Sequence, residues 1–197
     1  MRILIVGAGT VGSAVAAALR DRHELVLASV QSSPEQVDIA NPESIRALFH
    51  RVGPVDAVVG AAGRAVWKPI NELADGDFEF CFRNKLMGQV NLVRYGFDSV
   101  ADNGSITLTA GFLARHPAPG SSAASLVNSA LEGFGRAAAL EAPRGIRVNV
   151  VSPSWITETL QKLGRPLTGG VPAAVVAHAY VRSVEGTQTG QVIDPRD

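Results

Sequence analysis

Three glycines, Gly7, Gly9 and Gly12, stand in the spacing G-x-G-x-x-G, after the apolar run Ile3-Leu4-Ile5-Val6 and before Ser13-Ala14-Val15-Ala16. Where a strand turns into a helix around a pyrophosphate, each glycine has its own task. Gly7 permits the tight turn, Gly9 lets the backbone approach the phosphates, and Gly12 lets the helix lie close to the strand. With Thr10 and Val11, the turn aims free backbone N–H groups and the positive end of a helix dipole at an anion. Candidates for proton transfer are fewer. Lys85 is a lysine that burial would tune into a useful pKa range. Its neighbour Asn84 points about 100° away on a helix, so the two cannot both face one site squarely. His116 lies in the loop LARHPAPGSS, after an apolar strand, where an imidazole can act as acid or base.

Composition removes other chemistries. Lys and Arg number 18 and Asp and Glu 18, giving zero net charge, with no basic block to meet nucleic acid or an anionic membrane. A single cysteine, Cys81, cannot form an internal disulfide, and its apolar surroundings read as a buried thiol. The four histidines are too far apart for paired metal ligands. No G-x-S-x-G elbow is present. The uncharged N-terminal stretch from Ile3 to Leu19 resembles a secretory signal in outline, but its glycines are better explained by strand, turn and helix. No other uncharged run reaches the roughly 20 residues of a membrane span. The expectation is a soluble, cytoplasmic protein.

The elements that must position these residues alternate. Strands are expected at Arg2–Val6, Glu24–Ser29, Val55–Gly60, Ser105–Thr109, Arg147–Ser152 and Gln191–Ile193. Helices are expected at about Val11–Arg20, Pro42–Arg51, Phe78–Val100, Ser121–Glu141 and Pro172–Val184, with Ser121 and Ser122 as caps. Alternation with continuous apolar strands implies a single α/β domain over residues 1–197: a Rossmann-type doubly wound parallel sheet of about seven strands with helices on both faces. At the end of the second strand, Ala28-Ser29-Val30-Gln31-Ser32-Ser33 offers neither the acid that favours NAD nor an arginine for an NADP 2′-phosphate. Ser32 and Ser33 can hydrogen-bond a phosphate without neutralising it, and Gln31 and Ser32 are the cofactor-binding candidates of this stretch. The balance tips slightly to NADP over NAD.

Further landmarks follow in a fixed order: Asp38-Ile39, Gly60-Ala61-Ala62-Gly63, Asn84-Lys85-Leu86-Met87-Gly88, Arg147-Val148-Asn149 with Pro153, and Thr189-Gly190-Gln191. Together they resemble the short-chain dehydrogenase/reductase family. The resemblance implies that Asp38 and Ile39 meet adenine, that Ala61, Ala62 and Gly63 line the cofactor cleft, and that Asn84 belongs to the catalytic set. It also implies that Pro153 and a threonine, Thr157 or Thr159, lie near the nicotinamide. The family's tyrosine and its lysine four residues later fall on Ala124 and Asn128, and its serine on Ala110 or Gly111. No Tyr-x-x-x-Lys occurs, because Ser99 and Val184 follow the two tyrosines, Tyr95 and Tyr180, at that spacing. Asn128 can still hydrogen-bond a nicotinamide ribose, as the family lysine does.

Two readings therefore stand. One is an NAD(P)-dependent oxidoreductase for a small carbonyl or alcohol, with Asn84, Lys85 or His116 carrying the chemistry. The other is a non-catalytic, redox-sensing or regulatory dinucleotide-binding protein. The resemblance further implies a homodimer or homotetramer built on the helices Phe78–Val100 and Ser121–Glu141. The loop from Thr157 to Pro172, with Gln161, Lys162, Arg165 and Thr168, names no substrate.

Overall fold

The computed structural model describes residues 1–196. Seven parallel strands form one sheet in the order β3-β2-β1-β4-β5-β6-β7. They are β1 (Arg2–Val6), β2 (Glu24–Ser29), β3 (Glu35–Gln36), β4 (Val55–Gly60), β5 (Val100–Thr109), β6 (Arg147–Val151) and β7 (Val192–Ile193). The chain winds from β1 out to β3, then crosses back to β4 on the other side. This reversal opens a crevice at the carboxyl ends of β1 and β4, where doubly wound sheets bind ligands. Register makes the crevice symmetrical: Val6 pairs with both Ala28 and Gly60, so the turns after β1 and β4 leave the sheet side by side.

Alternation within β1 separates two cores. Leu4 and Val6 join Val58, Ile106, Leu108 and Val150 beneath helices α2 (Pro42–Val52), α4 (Gly88–Gly96) and α5 (Ser122–Glu141). Ile3 and Ile5 face the opposite way, onto α1 (Thr10–Leu19) and α7 (Ala173–Glu185). The central strands β1, β4 and β6 are buried on both faces along most of their length, which is why they read as nearly unbroken apolar runs. Helix α2 starts as its sequence dictates: Asn41 Oδ1 accepts from Glu43 N at 3.0 Å, Pro42 takes the first turn, and Gly53 ends the helix at φ +70°. Among the described residues, no helix is long and apolar enough to cross a membrane.

The expected helix Phe78–Val100 is three segments: α3 (Asp75–Cys81), a π-helical turn over Phe82–Met87, and α4. It stops at Gly96 because Val100 already pairs with Val55, so β5 begins earlier than Ser105 and absorbs a register shift between Val55 and Ala57. Strand β3, with two residues, and α6 (Thr157–Lys162) are too short to leave a periodic signal. Ser121 sits at the cap position of α5 without capping by its side chain. Its Oγ instead accepts from Ala118 N at 2.9 Å and pairs with Ser125 Oγ at 3.0 Å. Cys81 is buried and accepts a hydrogen bond from Val66 N.

Candidate active site

The glycine turn meets the geometry its spacing implies. Gly7 takes φ +121°, and a Cβ there would lie 2.7 Å from the Ala61 carbonyl carbon. A Cβ on Gly12 would approach Gly7 O to 1.8 Å, so α1 can pack this closely only with glycine. A Cβ on Gly9 meets nothing within 4 Å, because that position faces a cavity of about 450 Å³. Gly9 caps α1 with no side-chain hydrogen bond, and no acid stands in the first turn. An uncapped, unopposed helix start beside an open cavity fits a dinucleotide's pyrophosphate.

That cavity is lined by Ser29, Gln31, Ser32 and Ile39 from the β2 side and by Ala61, Ala62 and Gly63 after β4. Ser29 Oγ accepts from Ser32 N at 3.0 Å and so shapes the turn after β2. Asp38 lines an adjoining cavity of about 660 Å³, one carboxylate oxygen holding Ala40 N at 2.9 Å. Arg64 lines both spaces, and sequence reasoning missed it because it follows β4, far along the chain from β2. It is the only cation in either wall among the described residues, its guanidinium 5.6 Å over the Phe80 ring.

The π-helical turn sends Asn84 and Lys85 to different places. Asn84 Oδ1 accepts from Arg64 N at 2.7 Å, and Asn84 lines the cavity that holds Asp38. Lys85 runs its stem past Gly63 into a separate cavity of about 380 Å³, where Nζ donates to Ala110 O at 2.9 Å. Ala110 is one of the two residues at the family's serine position. Burial pushes the Lys85 ammonium down from 10.5 to about 8. Val11, Ala61, Ala62, Gly63 and Pro153 share this cavity, so it adjoins the glycine turn. Thr159 lines it and Thr157 does not; Thr157 opens α6 instead.

Other candidates lie outside the cavity walls. His116 is exposed and stacks on Phe112 with ring centroids 6.0 Å apart. Asn128 is buried behind Gly111, whose added Cβ would meet Asn128 Nδ2 at 2.8 Å, and its Oδ1 has no partner. Of the two tyrosines, Tyr180 is fully buried, its hydroxyl 2.6 Å from Thr109 Oγ1 and pushed well above its usual range by desolvation. Tyr95 accepts from Arg46 on the surface of α4. Neither lines the Lys85 cavity. Thr10 Oγ1 accepts from Lys162 Nζ at 3.2 Å, tying α6 across the start of α1. No cluster of metal-binding side chains occurs among the described residues.

Comparison with known proteins agrees with this geometry. The profile of a family described as enoyl-(acyl carrier protein) reductase matches residues 5–191. The protein lin1944 of Listeria innocua superposes with a TM-score of 0.95, at 42% identity over 98% of each chain. A small-chain dehydrogenase superposes with a TM-score of 0.86, at 26% identity, covering 98% of this chain and 95% of that one. A hydroxynaphthalene reductase of Aspergillus fumigatus is 29% identical over 61% of this chain and 46% of its own length. Glucose and ribitol dehydrogenase homolog 2 of Arabidopsis thaliana is 25% identical over 77% of this chain and 58% of its own. The chain thus spans about half the length of the curated relatives it matches. With the crevice, the glycine turn and a family match over nearly its whole length, the chain belongs to the short-chain dehydrogenase/reductase family.

Proposed function

We propose that the protein is an NAD(P)-dependent oxidoreductase for a small carbonyl or alcohol, in which Lys85 carries the proton that the family's tyrosine carries elsewhere. The observation behind this is the position of Lys85 Nζ: inside the cavity beside Gly63 and Pro153, with its pKa lowered to about 8. A general acid works best when its pKa lies near the operating pH. The bound nicotinamide supplies or accepts the hydride. Lys85 holds the proton, the Ala110 carbonyl fixes the ammonium, and Phe112, Leu113 and Ile156 keep water from the cavity wall. Gly7 to Gly12 hold the pyrophosphate, Asp38 and Ile39 the adenine, and Thr159 takes the nicotinamide side. Asn84 acts as a positioning residue through the Arg64 backbone.

NADP is the preferred cofactor in this reading. Arg64 gives the adenosine cavity a cation, where Gln31 and Ser32 supply only neutral donors. A structure of a small-chain dehydrogenase solved with NADPH shares this fold with a TM-score of 0.86 at 24% identity. The protomers pair as a homodimer through α5 and the π-helical turn leading into α4, where Leu126 and Leu140 of α5 and Met87 of the turn are left exposed.

Calorimetric titration with NADPH and with NADH comes first, then NADPH consumption over a panel of ketones and aldehydes. Micromolar binding of NADPH and turnover lost on Lys85→Met are the expected results. Tight binding without turnover of any acceptor favours the redox-sensing alternative, for which Ala124 and Asn128 at the family's tyrosine and lysine positions speak. Absence of binding at millimolar cofactor overturns both readings.

A further inference from the structure

Three aromatic side chains meet beside the Lys85 cavity, each from a loop after a different strand. Trp67 follows β4, Phe112 follows β5 and Trp155 follows β6. The Trp67 and Trp155 rings are 5.2 Å apart between centroids, and Phe112 meets Trp155 edge-on at 6.0 Å. Phe112 and Trp155 line the cavity directly. These are both tryptophans of the chain. Neither they nor Phe112 packs into any of the three apolar cores, and all three remain partly exposed. Their area is therefore not spent on holding the sheet to its helices.

The group is also fixed in place. Gly120, at φ +82°, leaves room for Trp67, since a Cβ there would stand 2.7 Å from Nε1. The loop behind Trp67 is tied by Lys68 N donating to Gly120 O at 3.0 Å. Over the outer ring lies a charge: the Arg165 guanidinium sits 5.5 Å above the Trp67 ring. Arg165 has no carboxylate partner among the described residues. The cavity thus holds an ammonium and a wall of aromatic faces and edges, and next to that wall, over Trp67, stands a guanidinium without a carboxylate partner among the described residues.

We infer that this site takes a flat aromatic ketone or aldehyde bearing a carboxylate, its carbonyl toward Lys85, its ring against Trp155 and Phe112, and its acid toward Arg165. The inference rests on the proposed oxidoreductase reading and names the substrate class for that same site. Aromatic faces favour a flat ring over a puckered one through stacking and edge contacts. Arg165 adds a charged, bidentate pair with a carboxylate that a neutral ketone cannot match.

Both tryptophans report on the site, so intrinsic emission measures binding, with calorimetry as its check. The probes are 4-acetylbenzoate, its saturated counterpart 4-acetylcyclohexanecarboxylate, and the uncharged 4-methylacetophenone, each titrated into the NADPH-saturated protein. The aromatic acid should bind about tenfold tighter than either control, the equivalent of roughly 1.4 kcal/mol for each missing feature. Arg165→Gln, at an exposed position, should erase the gap between acid and neutral ketone and keep the gap between flat and puckered rings. Equal affinities for the three probes, or an unchanged acid preference in Arg165→Gln, would overturn the inference. So would failure of all three to bind a protein that binds NADPH, an outcome that leaves the cofactor reading standing. Failure to bind NADPH overturns the underlying reading and this one with it.

Discussion

Replacing Lys85 by Met keeps the length and apolar stem of the side chain and removes its ammonium. In the folded protein that ammonium titrates at about 8, against 10.5 in the unfolded chain, because it is pulled out of water. Below pH 8 both states carry the proton, and the folded state bears the full desolvation cost. Between pH 8 and 10.5 the unfolded chain binds more protons than the folded one, so stability rises with pH. At 1.36 kcal/mol per pH unit the rise is at most about 3 kcal/mol, and less in practice because part of the residue reaches solvent. Urea unfolding of wild type and Lys85→Met at pH 7.5 and at pH 10.5 measures it directly. Met should be the more stable at pH 7.5, and the advantage should shrink by about 2–3 kcal/mol at pH 10.5. Other lysines and tyrosines titrate in both proteins and cancel in the difference. A difference that stays flat across this window would mean the ammonium is solvated, and Lys85 would lose its claim to the proton-donor role. The same pKa sets the sign for catalysis: carbonyl reduction needs the protonated amine and should fall above pH 8, whereas alcohol oxidation should rise there.

Other perturbations test the frame around this group. Gly12→Ala puts a Cβ 1.8 Å from Gly7 O and should abolish NADPH binding in calorimetry. Gln89 bonds Thr109 twice, donating to its O and accepting from its N, each at 2.6 Å. Gln89→Leu leaves both backbone groups buried without partners and should cost about 2–4 kcal/mol in urea unfolding. Arg64→Ala should weaken NADPH by about tenfold or more while leaving NADH nearly unchanged, since only the former carries the 2′-phosphate. Light scattering should give roughly twice the protomer mass, falling to one protomer when Leu126 and Leu140 are replaced by Glu.

Much of this was legible in the residues because local rules decide it. The glycine turn needs no tertiary knowledge: a strand, three glycines at fixed spacing and a small-residue helix have one economical arrangement. The Asn41-Pro42 start and Gly53 end of α2 belong to the same class. What could not be read is set by meetings across the sheet. Arg64 shares a wall with Ser32 only because β1 lies between β2 and β4. Trp67, Phe112 and Trp155 are separated by at least 43 positions along the chain, and nothing local joins them. The π-helical turn has no composition signal, so the rule of 100° per residue showed that Asn84 and Lys85 diverge without saying which cavity each would enter. Ser154, whose Oγ is buried at the Lys85 cavity without a partner, left no trace in its sequence neighbourhood.

The turn over Phe82–Met87 has a bearing on how such a site changes over time. A π-helical turn closes i to i+5 bonds and so holds one residue more than the α-helix on either side of it. Deleting one residue there would remove the extra residue and let α3 and α4 rejoin as a single α-helix with both flanks kept in place, only the side chains within the turn changing direction. The sheet would not move, nor would the glycine turn. A different side chain would simply face the cavity in place of Lys85. One-residue insertions and deletions in this segment are thus a route by which a lineage can exchange the side chain that enters this cavity in a single step, without passing through a broken fold.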